Sequence, residues 1–245
     1  MTQTPPANDP TPAWLPALRG RFIAFEGADG SGKSTQLQRF LALCAAGALP
    51  VREVREPGGT HVGERIRAIL LDKASEGITL RCEMLLYMAS RAQLVETTIR
   101  PALREGRLVV ADRFVTSTYA YQGSAGGLPQ GDIDDVTRVA CEGTLPDLVL
   151  IFDVDEQTAA KRMGLAPGKK GGGGGGSLFA DRMEDRDAAF HRRVRQGYLD
   201  QAAREPGRHA LINAAGTPEQ VWGRLLGALE AFATRGVAPA PGARR

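Results

Sequence analysis

The sequence predicts an α/β fold: a doubly wound, five-stranded parallel sheet with helices on both faces. Two observations predict it. Short β-rich apolar runs alternate with longer segments of helical period, the pattern of a sheet covered on both sides. A glycine-rich G-x-x-x-x-G-K-S motif stands between the first apolar run and the first helical segment, as in folds of the P-loop NTPase type. With 42% hydrophobic and 24% charged residues, the composition excludes wholesale disorder and a collagen-like repeat. The 245 residues suit one full α/β domain better than two.

The expected strands are Phe22 to Phe25, Val51 to Val54, Leu108 to Ala111, Leu148 to Phe152 and Ala210 to Ile212. Apolar character without polar alternation suits strands buried on both faces, a reading that periodicity alone does not separate from short buried helical segments. Helical stripes follow in Leu37, Phe40, Leu41 and Cys44; in Ile66, Ile69 and Leu70; and in Ile133, Val136 and Val139. Two more run through Phe190, Val194 and Tyr198 and through Val221, Leu225, Leu229 and Phe232. Five strands and about seven helices make one domain over residues 20–235. Residues 1–19 are expected to be a flexible extension, 236–245 a flexible tail, and about 163–182 a mobile lid containing the six-glycine run Gly171 to Gly176.

Several function classes are excluded at this level. The longest apolar runs stop far short of the ~20 residues of a membrane span, and Met1 to Pro16 lacks the basic start and apolar stretch of a secretory signal. A cytoplasmic protein without membrane partners is expected. Cys44, Cys82 and Cys141 are odd in number and without a C-x-x-C, so they read as buried small residues rather than disulfides or zinc ligands. A net charge of +3 does not make a nucleic-acid-binding surface. His61, His191 and His209 have no nucleophile or metal-like partner nearby in the sequence.

The motif itself comprises Gly27, Ala28, Asp29, Gly30, Ser31, Gly32, Lys33 and Ser34, followed by Thr35. Its glycines let backbone N–H groups turn inward on phosphate oxygens, Lys33 can reach the β and γ phosphates of ATP, and the Ser34 hydroxyl can ligate Mg²⁺. Asn8 and Asn213 are the only asparagines, which removes the N-K-x-D by which GTPases read guanine, and L-S-G-G-Q is absent. Asp112 and Asp153 each follow an apolar strand, and either could complete the metal site. Asp112 is preferred because Arg113 follows it and brings an anion-binding side chain to the sheet's carboxyl edge.

Phe25-Glu26-Gly27-Ala28-Asp29-Gly30, Arg55-Glu56-Pro57-Gly58-Gly59-Thr60, Asp112-Arg113-Phe114 and Ala120-Tyr121-Gln122-Gly123 form a set that resembles thymidylate kinase. The resemblance runs from about Arg21 to Ala233. It implies phosphorylation of dTMP to dTDP with ATP and Mg²⁺, and a homodimer. On the same residues, Arg67, Arg91 and Arg113 suit a second anion site, since guanidinium matches phosphate bidentately. Tyr87 and Arg91, four apart, share one helical face. The resemblance implies that Tyr87 stacks on thymine, that Arg91, Thr118 and Gln122 contact the base, that Glu56 lies in the acceptor site, and that Asp29 sits near the sugar 3′-hydroxyl. It also implies a transition-state arginine from the lid, with Arg182 and Arg162 as candidates. Two other readings remain open: a kinase for another nucleoside monophosphate such as dUMP or dCMP, and a non-catalytic nucleotide-binding regulator.

Overall fold

In an extended strand successive side chains leave on opposite faces, so a strand covered on both sides must be apolar at every position. Phe22–Gly27 (β1), Leu108–Asp112 (β3) and Leu148–Asp153 (β4) meet that condition except at buried Glu26 and at the terminal Asp112 and Asp153. Val51–Arg55 (β2) and His209–Asn213 (β5) expose several residues and take the edges. The computed structural model describes residues 11–75, 77–163 and 188–235. All five strands are parallel and run β2-β3-β1-β4-β5 across the sheet. The expected lid after Met163, with the glycine run and Arg182, lies outside the described residues, as does the expected tail.

The helices are Lys33–Ala46 (α1), His61–Leu71 (α2), Leu80–Leu94 (α3), Arg100–Arg104 (α4), Val115–Thr118 (α5), Gln130–Cys141 (α6), Glu156–Arg162 (α7), Ala188–Arg204 (α8) and Pro218–Thr234 (α9). On one face Ile23, Phe25, Val110 and Leu150 meet Leu37 and Phe40 of α1 and Leu225 and Leu229 of α9. Phe25 lies between the rings of Phe40 and Phe152, with centroids 5.8 and 5.7 Å away. On the other face Phe22, Ala24, Val109 and Ile151 meet side chains of α3, α6 and α8. Polar side chains set the helix starts. Thr60 accepts from Gly63 N, Thr79 from Cys82 N and Asp155 from Thr158 N, and Thr217 with Gln220 closes a capping box.

Three sequence expectations are corrected. The N-terminal extension was expected to be flexible through residue 19. Instead Leu15–Leu18 forms a 3₁₀ turn whose Leu15 and Leu18 are fully buried in the core layered by α1 and α9, because two leucines three apart offer one apolar edge to that layer. The stripes in α2 and α6 mark the helices but overstate their buried faces. Ile69 is 48% and Val139 68% exposed, while Leu70 and Ile133 point inward. Cys82 is exposed near the start of α3, unlike buried Cys44 and Cys141. A period of 3.6 locates an apolar stripe, but the neighbouring helix decides how much of it is covered.

Leu225 of α9 is fully buried between α9 and the sheet. Leu225→Ala is expected to lower unfolding free energy by about 2–5 kcal/mol, read from urea denaturation.

Candidate active site

The central strand delivers the loop. β1 ends at Gly27, and α1 starts at Lys33 behind Gly32, whose φ of 83° only glycine adopts without strain. A Cβ at Gly27 would lie 2.6 Å from the Phe152 carbonyl, and one at Gly30 would lie 2.5 Å from that of Ala159. Those positions therefore require glycine, and the loop passes tightly over β4 and α7. The first N–H groups and the dipole of α1 face outward from this turn, the arrangement that binds phosphate.

Strand order then brings Asp112 to Lys33. β3 lies beside β1, with Asp112 paired to Phe25, and the buried Lys33 Nζ donates to Asp112 Oδ1. Burial lowers the Lys33 pKa, and the Asp112 charge opposes that shift. Arg113 has a left-handed φ of 68°, and its N–H is donated to Phe25 O. Its side chain donates to Gly27 O (2.9 Å), Tyr198 Oη (3.1 Å) and Asp29 Oδ1 (2.6 Å), and lies 5.5 Å from the Tyr121 ring centroid. This arginine is fastened to both the loop and α8.

A buried carboxylate organises the same corner. Glu26, fully buried, accepts from Phe114 N and Ser117 N with Oε1, and from Ser117 Oγ and Tyr198 Oη with Oε2. Burial raises its pKa, while Arg113 and the hydrogen bonds from Ser117 and Phe114 lower it. Glu26 stands inside a quoted motif, but its lone position in an apolar run was the only signal of this role. Tyr198 reads as core in the sequence, yet its hydroxyl joins Arg113, Ser117 and Glu26.

The turn after β2 is built on Arg55, which grips Glu64 with two bonds of 2.9 and 2.8 Å. That turn places Glu56 against Arg91, whose Nε and Nη2 meet Glu56 Oε2 at 2.7 and 2.6 Å. Arg91 also donates to Thr118 Oγ1 (3.2 Å). Arg67 donates to Pro57 O (3.0 Å). Gln122, in a π-helical segment Tyr119–Ala125, donates through Nε2 to Glu83 Oε1 at 2.8 Å. Glu83 was missed in the sequence. The four-residue spacing of Glu83, Tyr87 and Arg91 along one face of α3 was the available signal.

One cavity of about 360 Å³ is lined by Lys33, Ser34 and Asp112 together with Asp29, Glu56, Arg67, Tyr87, Arg91, Arg113, Thr118 and Gln122. Gly27, Ala28, Gly30, Ser31, Gly32 and Thr35 form the loop and first turn beside it. Arg162 is not brought into it. Its guanidinium donates to Ser31 O (3.0 Å), Ala214 O (2.8 Å) and Gly216 O (3.3 Å), so it braces the loop from outside the cavity lining. Asp153, the alternative metal residue, spends both oxygens on Arg195 of α8, at 2.6 and 2.9 Å. No cluster of three or more His, Cys, Asp or Glu suited to a metal occurs among the described residues. A hard cation with few protein ligands that keeps waters and phosphate oxygens fits Ser34 and Asp112 better than a dedicated protein cage would.

A family model described as thymidylate kinase matches residues 25–223. The chain belongs to the thymidylate kinase family. It is 44% identical to a thymidylate kinase of Pelotomaculum thermopropionicum, over 87% of this chain and 94% of the relative. It is also 44% identical to one from Rhizorhabdus wittichii, over 86% and 98%. The crystal structure of thymidylate kinase from Ehrlichia chaffeensis superposes with a TM-score of 0.65 at 29% identity, over 85% of this chain and 98% of that one. Among the described residues no helix is long and apolar enough to cross a membrane.

The Glu56 pair gives a pH signature. Burial pushes the Glu56 carboxyl up to about 7 against the pull of Arg91, and buried Oε1 has no partner among the described residues. Between the ordinary carboxylate range and that value the folded chain binds the proton more tightly than the unfolded one. This contribution to stability is therefore lost as pH rises through about 7. The stability of the native protein relative to Glu56→Gln is expected to decline between about pH 5 and about pH 8, measured by urea unfolding.

Proposed function

We propose that this chain phosphorylates dTMP to dTDP, with ATP as donor and Mg²⁺ bound with it. The observation that carries the reading is a single cavity lined both by the phosphate-loop pair Lys33 and Ser34 and by Tyr87, Arg91, Thr118 and Gln122. Membership of the thymidylate kinase family supports reading those four as base contacts.

Phosphoryl transfer needs chiefly positioning and charge neutralisation, and an ionised acceptor phosphate needs no general base. Lys33 and the loop N–H groups hold the donor phosphates. Arg113 and Arg67 receive the acceptor phosphate, and Arg113 is held in place by Gly27 O and Tyr198. Asp29 uses Oδ1 on Arg113, which leaves Oδ2 for the sugar hydroxyl. Tyr87 presents its ring to the base, and Arg91, fixed by Glu56, presents a donor. Ser34 and Asp112 would hold Mg²⁺, which when bound would offset the phosphate charge.

The homodimer reading is supported by three neighbouring helices that each expose a large apolar side chain: Ile69 of α2, Leu85 of α3 and Val139 of α6. Sedimentation velocity is expected to give twice the chain mass, and Val139→Lys to shift it toward the single chain. A native mass equal to one chain rejects the dimer.

An ADP-release assay across dTMP, dUMP, dCMP and dAMP is expected to show turnover with dTMP foremost. Lys33→Met is expected to reduce kcat by about 10²–10³ with the circular dichroism spectrum unchanged. Turnover within a fewfold of the native protein rejects the role of the loop.

A further inference from the structure

A carboxamide has a donor end and an acceptor end of nearly equal shape, so its chemistry toward a ligand depends on which neighbour holds the other end. Gln122 is 2% exposed and Glu83 1% exposed, and Gln122 Nε2 donates to Glu83 Oε1 at 2.8 Å. Glu83 Oε1 is the acceptor of that bond, so it selects the rotamer in which nitrogen faces α3. The carboxamide oxygen is then the end left for the cavity that Gln122 lines.

We propose that Glu83 is a specificity-determining positioning residue: by holding the Gln122 nitrogen, it makes the base pocket an acceptor at that point and so selects pyrimidines that carry an N3–H. The inference rests on the dTMP kinase reading and deepens it. Thymine and uracil present a donor at N3 and an acceptor at position 4. Cytosine presents an acceptor at N3 and a donor amine at position 4. The pocket has the matching polarity twice. Gln122 Oε1 is the acceptor, and the Arg91 guanidinium, tied to Glu56 Oε2 through Nε and Nη2, is the donor. Buried Glu83 sets the polarity of Gln122, while buried Glu56 fixes the position of a guanidinium that is a donor in any orientation. With cytosine, acceptor meets acceptor at Gln122 and donor meets donor at Arg91, and a buried mismatch of that kind costs more than a lost bond. Free rotation of the Gln122 amide would remove half of this discrimination, because the flipped NH₂ suits cytosine N3.

Two variants test the arrangement in the full-length protein, with kcat/KM measured for dTMP, dUMP and dCMP at saturating ATP. Glu83→Met removes the acceptor while roughly keeping side-chain volume. It is expected to narrow the preference for dTMP over dCMP by about tenfold or more. KM for ATP and the dTMP-to-dUMP ratio should stay within about twofold, since thymine and uracil share the same edge. General damage to the pocket would lower all three acceptors together. The exchanged pair, Glu83→Gln with Gln122→Glu, keeps one buried charge and the hydrogen bond, and leaves only acceptors facing the base. It is expected to retain the dTMP preference, and it decides the matter by itself if Glu83→Met does not fold. Equal losses for dTMP and dCMP in Glu83→Met, or loss of the preference in the exchanged pair, overturn the role of Glu83 while dTMP kinase activity stands. A native protein that phosphorylates none of the three overturns both.

Discussion

The arrangement of the site depends on one buried carboxylate at the end of the central strand. Glu26 has no exposed surface, and an unpaired charge there would cost several kcal/mol. Four hydrogen bonds offset that cost, from two backbone N–H groups and two hydroxyls. Those donors come from the turn after β3, from α5 and from α8. Satisfying the carboxylate therefore locks three separate chain segments around Arg113, whose guanidinium shares Tyr198 and Ser117 with it. Such fastening suits an arginine at an anion site, because a side chain already in place loses little entropy when a phosphate arrives.

Glu56 and Glu83 repeat the device beside α3. Each is buried on or against that helix, and each holds one polar side chain of the cavity lining, Arg91 or Gln122. Three buried glutamates thus stand behind polar groups that line the cavity. Burial strengthens their hydrogen bonds, since little water competes and the local dielectric is low. The same burial pushes Glu26 and Glu56 toward protonation, so the geometry persists only while the donors remain attached.

Sheet order explains why the cavity lies where it does. The chain leaves β1 on one side of the sheet and must return to pair β1 with both β3 and β4, so the connections diverge at the carboxyl end of β1. A crevice opens there between loops going to opposite faces. Loop N–H groups from the β1 turn and the side chains of Asp112 and Arg113 from the β3 turn reach it from adjacent strands. The ion pair of Lys33 and Asp112 closes the distance between the two turns.

Local chemistry was enough to read part of this from the sequence. The apolar runs located all five strands within two residues at each end, because a strand covered on both faces tolerates few polar residues. The spacing of Gly27, Gly30, Gly32, Lys33 and Ser34 located the phosphate loop, since glycine there answers to the backbone's own geometry. The short motifs located Asp112, Arg113 and Gln122 by residue type and neighbours. What the sequence left open concerns which surfaces meet. It did not show that Leu15 and Leu18 pack into the core, that Ile69 and Val139 face outward, or that Arg162 turns to the loop carbonyls rather than the cavity. The sequence preferred Asp112 to Asp153 only through the neighbouring Arg113; the fold adds the contacts that separate them, placing β3 beside Lys33 while α8 brings Arg195 to Asp153. The roles of Glu26, Glu83 and Tyr198 come from partners 91, 39 and 172 residues away along the chain, and proximity at that range is created only by tertiary packing.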